Sequence, residues 1–98
     1  MTRILWSPQA LLDVESVRDY ISHDSPRYAE LVVRRLIAAV GRLEEFPRSG
    51  RIVPERNRED LREIIVRPYR IVYRLRPDLV EIVTVFRASR LLRDTQTP

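Results

Sequence analysis

Apolar positions recur at two different periods along the chain, and the change of period near residue 60 divides it. Between Leu11 and Leu43 they fall three and four residues apart, whereas from Leu61 to Phe86 they largely alternate with polar ones. The first block predicts two helices. Ser7-Pro8 offers an N-cap followed by a residue whose missing N–H costs nothing at the first helical position. Leu11, Val14, Val17 and Ile21 then form one stripe, leaving Asp13, Glu15, Arg18 and Asp19 for the solvated side. Ser25-Pro26 repeats the start signal, and Ala29, Val32, Val33, Leu36, Val40 and Leu43 carry the period on until Phe46-Pro47 closes it. Only a few residues separate the two helices, so they should form an antiparallel hairpin. Ahead of them, Thr2 to Trp6 predicts a short edge strand.

Pro47 to Asp60 breaks both periods. Ser49-Gly50 and Pro54 form turns, four arginines make the stretch basic, and a mobile loop is expected. The runs Leu61 to Val66, Tyr69 to Arg76 and Leu79 to Phe86 follow, separated by Arg67-Pro68 and Pro77-Asp78. Connections this short join antiparallel strands. The predicted class is therefore α+β, an N-terminal edge strand and an antiparallel helix hairpin packed on a three- to four-stranded antiparallel sheet. Residues 1–98 should form one domain, with a frayed tail at 94–98. With Pro77-Asp78 as the turn centre, Leu75 faces Val80, Tyr73 faces Ile82, Ile71 faces Thr84 and Tyr69 faces Phe86. That set should pack on the helices. The opposite side carries Arg70, Val72, Arg74 and Arg76 beside Val85, Val83, Glu81 and Leu79, and aligning Ile65 with Ile71 adds Arg62 next to Arg74.

Composition narrows the chemistry. The chain holds no cysteine, which excludes disulfides and thiolate catalysis. No run approaches the roughly 18 apolar residues of a membrane span, and no signal-like apolar segment precedes Pro8. A cytoplasmic protein without membrane partners is expected. Net charge is +4, and all eighteen basic residues are arginine. Guanidinium groups stay protonated and fork around phosphate or carboxylate, so an acidic partner is expected while a lysine base is excluded. The sheet face bearing Arg62, Arg70, Arg74 and Arg76 reads either as a solvated surface, with Arg74 and Glu81 paired across strands, or as a concave basic grip. Val72, Val83 and Val85 between the arginines favour a peptide or protein on that grip, since a phosphate-tracking surface has little use for aliphatic side chains. Arg87 and Arg90 leave the last strand where they can converge with Arg70. His23 closes the first helix and reads as a solvated terminal residue. Glu44, Glu45 and Glu55 read as surface charge. Neither a metal site nor a cofactor site is expected, because the chain has one histidine, no cysteine and no glycine-rich phosphate loop.

Three segments carry a resemblance. Trp6-Ser7-Pro8-Gln9-Ala10-Leu11-Leu12-Asp13, Tyr69-Arg70-Ile71-Val72-Tyr73 and Val80-Glu81-Ile82-Val83-Thr84-Val85-Phe86, in this order of elements, resemble the ParE/RelE superfamily of bacterial toxins over about Arg3 to Arg93. The resemblance implies the toxin half of a type II toxin-antitoxin pair, neutralised by a small antitoxin that lays a helix or strand along the sheet and the helix hairpin. Two activities occur in that superfamily. RelE-like members cut messenger RNA on the ribosome, and matching them would make Arg62, Arg70, Arg87 and Arg90 the catalytic set. No tyrosine follows Tyr73, however, and Arg87 stands where many relatives have histidine, while an arginine is a poor proton donor. ParE-like members inhibit DNA gyrase without nucleolytic chemistry, and the Trp-Ser-Pro opening with its long helix hairpin looks more like that branch. Target or antitoxin contacts would then fall on Arg62, Arg70, Val72, Arg74, Val83, Val85, Arg87 and Arg90. An inactive relative kept only as an antitoxin partner is the third reading.

Overall fold

Both helices begin where a serine can cap them. In the computed structural model, which describes residues 1–93, helix α1 spans Pro8–Ser22 and α2 spans Pro26–Gly41. Ser7 Oγ accepts the Ala10 amide at 3.0 Å, and Ser25 Oγ accepts the Tyr28 amide at 3.1 Å. α2 ends at Gly41 and runs into a 3-10 turn, Arg42–Glu44, which carries Leu43 inward. Ala29, Val32, Val33, Leu36, Val40 and Leu43 are all buried, as their spacing predicts. The α1 stripe is rotated from its prediction. Ala10 and Val17 are buried, Val14 and Ile21 are half-buried, and Leu11 is 56% exposed. Polar bonds to the sheet set that rotation. The Ser7 amide donates to Ile82 O, Ser7 Oγ donates to Val83 O, and Asp13 reaches Thr84 and Val85.

Strands β1 (Arg3–Trp6), β2 (Arg51–Ile52), β3 (Leu61–Val66), β4 (Tyr69–Leu75) and β5 (Leu79–Arg87) form one mixed sheet in the order β1-β5-β4-β3-β2. The β3-β4-β5 meander is antiparallel as expected, with a cis Arg67–Pro68 bond in the β3-β4 turn. β1 is an edge strand as expected, and it runs parallel to β5, Arg3 opposite Leu79 through Trp6 opposite Ile82. The stretch 47–60 contributes the fifth strand, because β2 pairs with β3 and buries Val53 just beyond it. The tail predicted at 94–98 lies outside the described residues. Among the described residues no helix is long and apolar enough to cross a membrane.

The helices cover one face of this sheet, where Leu36, Leu43, Ile71, Tyr73, Val80 and Ile82 have no exposed surface. Burying such side chains is worth roughly 1.5–3 kcal/mol each. Tyr73 brings a hydroxyl into this core, and burial raises its pKa. The hydroxyl donates to Pro47 O at 2.8 Å and accepts the Gly50 amide at 2.9 Å, so it fastens the turn that leads into β2. A Cβ at Gly50 would lie 2.6 Å from both Glu63 O and Tyr73 Oη, which is why this position has no side chain.

Two details of register differ from expectation, and each moves side chains from one face to the other. Ile64, not Ile65, lies opposite Ile71. Arg62 is therefore opposite Tyr73 and Leu61 opposite Arg74. In β5, Tyr73 pairs with Ile82 but Val72 pairs with Thr84, leaving Val83 as the extra residue of a bulge. Beyond the bulge Ile71 meets Val85, Arg70 meets Phe86 and Tyr69 meets Arg87. Val85 consequently joins the helix-side core, and Phe86 joins the opposite face. The carboxylate of Asp13 holds the bulge by accepting Thr84 Oγ1 at 2.6 Å and the Val85 amide at 2.9 Å. It is not the solvated residue its spacing predicts.

Candidate functional site

The sheet face turned away from the helices is not open. Val53, Leu61, Val72, Val83, Phe86 and Leu92 form a second, smaller apolar cluster there, so segments 53–58 and 88–92 lie over the strands. Strand alternation points Arg70 into this layer, and the bulge brings Phe86 to the same side. The Arg70 guanidinium carbon sits 4.9 Å from the Phe86 ring centroid, in cation–π contact.

All five N–H groups of Arg70 are spent within the protein. Nε donates to Glu63 Oε1 at 2.9 Å. Nη1 donates to Glu55 Oε2 at 2.8 Å and to Arg90 O at 2.7 Å, while Nη2 donates to Glu55 Oε1 at 2.8 Å and to Glu63 Oε1 at 2.6 Å. A guanidinium has no further donor. Its side chain is 6% exposed and that of Glu63 is fully buried. Glu63 Oε2 also receives Arg51 Nε, and Glu55 Oε2 accepts the Leu92 amide at 2.8 Å. Charge-assisted bonds of this kind tie three separate pieces of chain to β4. The Arg70 hydrogen bonds hold the Glu55 carboxyl down at a pKa of about 2, and the same bonds raise that of Arg70.

The predicted arginine cluster is thus divided. Arg62 leaves the face altogether, since its guanidinium donates to Glu59 O at 2.9 Å and Gly50 O at 3.2 Å. Arg74 stays on the face but is 9% exposed, Val72 and Val83 are buried beneath the loop, and Val85 is buried under α1. Arg76 meets Glu81 at 3.1 Å on the surface. Arg87 and Arg90 remain exposed. They converge at a groove of about 530 Å³ between α1 and the end of the sheet, beside Tyr20, Tyr69 and Phe86. The Arg70 bond to Arg90 O fixes the backbone from which Arg90 projects. His23 caps α1 at its exposed end. Among the described residues no group of His, Cys, Asp or Glu side chains could hold a metal ion.

Sequence reading missed Glu55, Glu63, Phe86 and Asp13. Glu63 carried a signal, because it lies two residues from Leu61 on the same side of β3 and so occupies an inward position. Glu55 carried none, since its partner is fifteen residues away. A second depression, of about 560 Å³, lies between the helices, lined by Trp6, Leu11, Val14, Val33 and Ile37 together with the charged Glu15, Arg18 and Asp19. Leu11 and Ile37 are each more than half exposed there.

Comparison with known proteins places this architecture. Residues 4–92 match the family model described as the ParE toxin of type II toxin-antitoxin system, parDE. Toxin RelE2 of Caulobacter vibrioides is 37% identical over 91 residues, covering 93% of this chain and all of the relative. The solved chromosomal ParDE TA system from P. aeruginosa superposes with a TM-score of 0.74 at 20% identity, covering 89% of this chain and 96% of that one. The YoeB dimer from Staphylococcus aureus follows at 0.58 and 17% identity, covering 85% and 92%. Two helices on a mixed five-stranded sheet are common ground with both structures, and the sequence match across nearly the whole chain makes this protein a ParE-family toxin of a type II toxin-antitoxin system.

Proposed function

We propose that the chain arrests growth by binding DNA gyrase, without nucleolytic chemistry, and that a cognate antitoxin neutralises it. The observation that carries this reading is the saturation of Arg70. An endonuclease built on the sheet arginine needs that guanidinium free to stabilise a phosphorane, and here every donor is committed to Glu55, Glu63 and Arg90 O. Arg62 is on the other side of the sheet. Arg87 and Arg90 remain as contact residues beside the α1 groove, suited to a carboxylate or phosphate on the target. The RelE2 name of the relative keeps a ribosome-dependent messenger RNA endonuclease as the second reading.

The antitoxin reading rests on two features. One solved neighbour is the chromosomal ParDE TA system from P. aeruginosa. The groove between α1 and α2 also exposes Leu11 and Ile37 beside Glu15, Arg18 and Asp19, a mixed apolar and charged surface that an amphipathic helix can cover as it folds on its partner.

Expression of the lone chain in growing bacteria, with supercoiling and ribosome-mapped messenger 5′ ends read in parallel, tests the choice. Lost supercoiling with intact transcripts is the expected result. Cuts at the ribosomal A site with normal supercoiling would reverse it, and unimpaired growth would point to the inactive relative.

A further inference from the structure

The outer face of α2 is strongly basic. At about 100° per residue, Arg27, Leu31, Arg34, Arg35, Ala38 and Arg42 fall on one stripe about 100° wide, opposite the buried stripe of the same helix. All six are exposed. None of the four arginines has a carboxylate partner among the described residues, and the helix's only acid, Glu30, is turned to Arg18 of α1 at 3.4 Å. Several arginines of the sheet and loops are paired with carboxylates, as Arg51, Arg58, Arg70 and Arg76 show. From Arg27 to Arg42 the stripe runs roughly 22 Å at the rise of a helix. It borders the interhelical groove at Ile37 without entering it, so a helix docked in that groove leaves the arginines exposed.

We propose that this face binds the sugar–phosphate backbone of duplex DNA, a nucleic-acid contact separate from the gyrase reading and independent of base sequence. A rigid row of guanidiniums suits phosphates held at fixed spacing. The small Ala38 in its centre lets the backbone approach. An acidic protein would want apolar anchors, and Leu31 is the only large one on the stripe. A flexible single strand would want rings to stack on, and Tyr28 at the margin is the only one on the helix.

Fluorescence anisotropy of a short labelled duplex of mixed sequence, titrated with the purified chain across a salt series, tests this. An Arg27→Gln/Arg34→Gln/Arg35→Gln variant should bind about tenfold or more weakly, with a salt slope smaller by roughly 2–3. A control variant with the same charge loss, Arg3→Gln/Arg48→Gln/Arg67→Gln, should stay within about threefold of the parent. Circular dichroism establishes that each variant is folded, and Arg27→Lys/Arg34→Lys/Arg35→Lys should retain binding because it keeps the charge. Equal losses in the two glutamine variants would reduce the effect to net charge and overturn the proposal. So would absence of saturable binding, or tighter binding of a polyglutamate peptide or a single-stranded RNA. Supercoiling inhibition by the α2 glutamine variant is read separately. Its persistence leaves the gyrase reading intact whatever the anisotropy gives.

Discussion

The two faces of the sheet are closed by different forces. On the helix side, thirteen buried residues among those described pack from both layers, and their side chains are apolar but for the hydroxyls of Tyr69 and Tyr73. On the other side six apolar residues suffice for a small cluster, and the layer above them is tied down through Arg70, Glu55 and Glu63. Apolar contact is non-directional and tolerates imperfect shape, so the helix side can be assembled from any close-fitting set of aliphatic side chains. Charge-assisted bonds are directional and fail together when one member is missing. A broad core therefore holds the hairpin, and a single guanidinium holds the loop and the C-terminal segment.

Breaking the centre of each face should give losses of similar size with different character. Arg70→Ala leaves two carboxylates facing each other, one of them wholly buried, and should cost about 3–5 kcal/mol in chemical denaturation. Leu36→Ala should cost about 2–5 kcal/mol through its cavity. Limited proteolysis separates them. Cleavage within 53–58 should rise in Arg70→Ala well before global unfolding, and in Leu36→Ala only together with it.

Acid should sharpen the contrast. Glu55 is depressed from an ordinary 4.5 to about 2 in the folded chain, so its contribution is complete above pH 4.5 and is lost as pH falls from there toward 2. A shift of that size corresponds to roughly 3 kcal/mol. Urea midpoints measured across this window should fall more steeply in the parent than in Glu55→Gln, whose glutamine has no such proton to take up. Parallel acid profiles would remove Glu55 from the account. The smallest effect is expected at the surface pair, where Arg76→Ala should change stability by less than about 1 kcal/mol and leave both faces as they are.

How far the chain could be read in advance follows the same division. Helix starts at Ser7-Pro8 and Ser25-Pro26, the buried stripe of α2 and the antiparallel meander depend on local rules, and they were legible. Faces depend on register, and register was legible only as far as the Pro77-Asp78 turn reaches. One extra residue at Val83 exchanged Val85 for Phe86, and a one-residue offset in β3 carried Arg62 to the wrong side. No single-strand pattern announces a bulge whose fixing group, Asp13, sits on a helix some seventy residues earlier. Glu55 was invisible for a related reason, since its role exists only once loop 53–58 has folded back over β4.

The pairing of β1 with β5 has a consequence for how the chain comes into being. Residues 3–6 find their hydrogen-bonding neighbours only at residues 79–82, so the sheet cannot gain its β1 edge until β5, near the C-terminal end, has left the ribosome. Contacts that distant in sequence slow folding and make it a late, single event. During synthesis the helix hairpin emerges first and the end of the sheet bearing Arg87 and Arg90 last, so a partner that covers the hairpin, as proposed for the antitoxin, would find its surface before the sheet is complete.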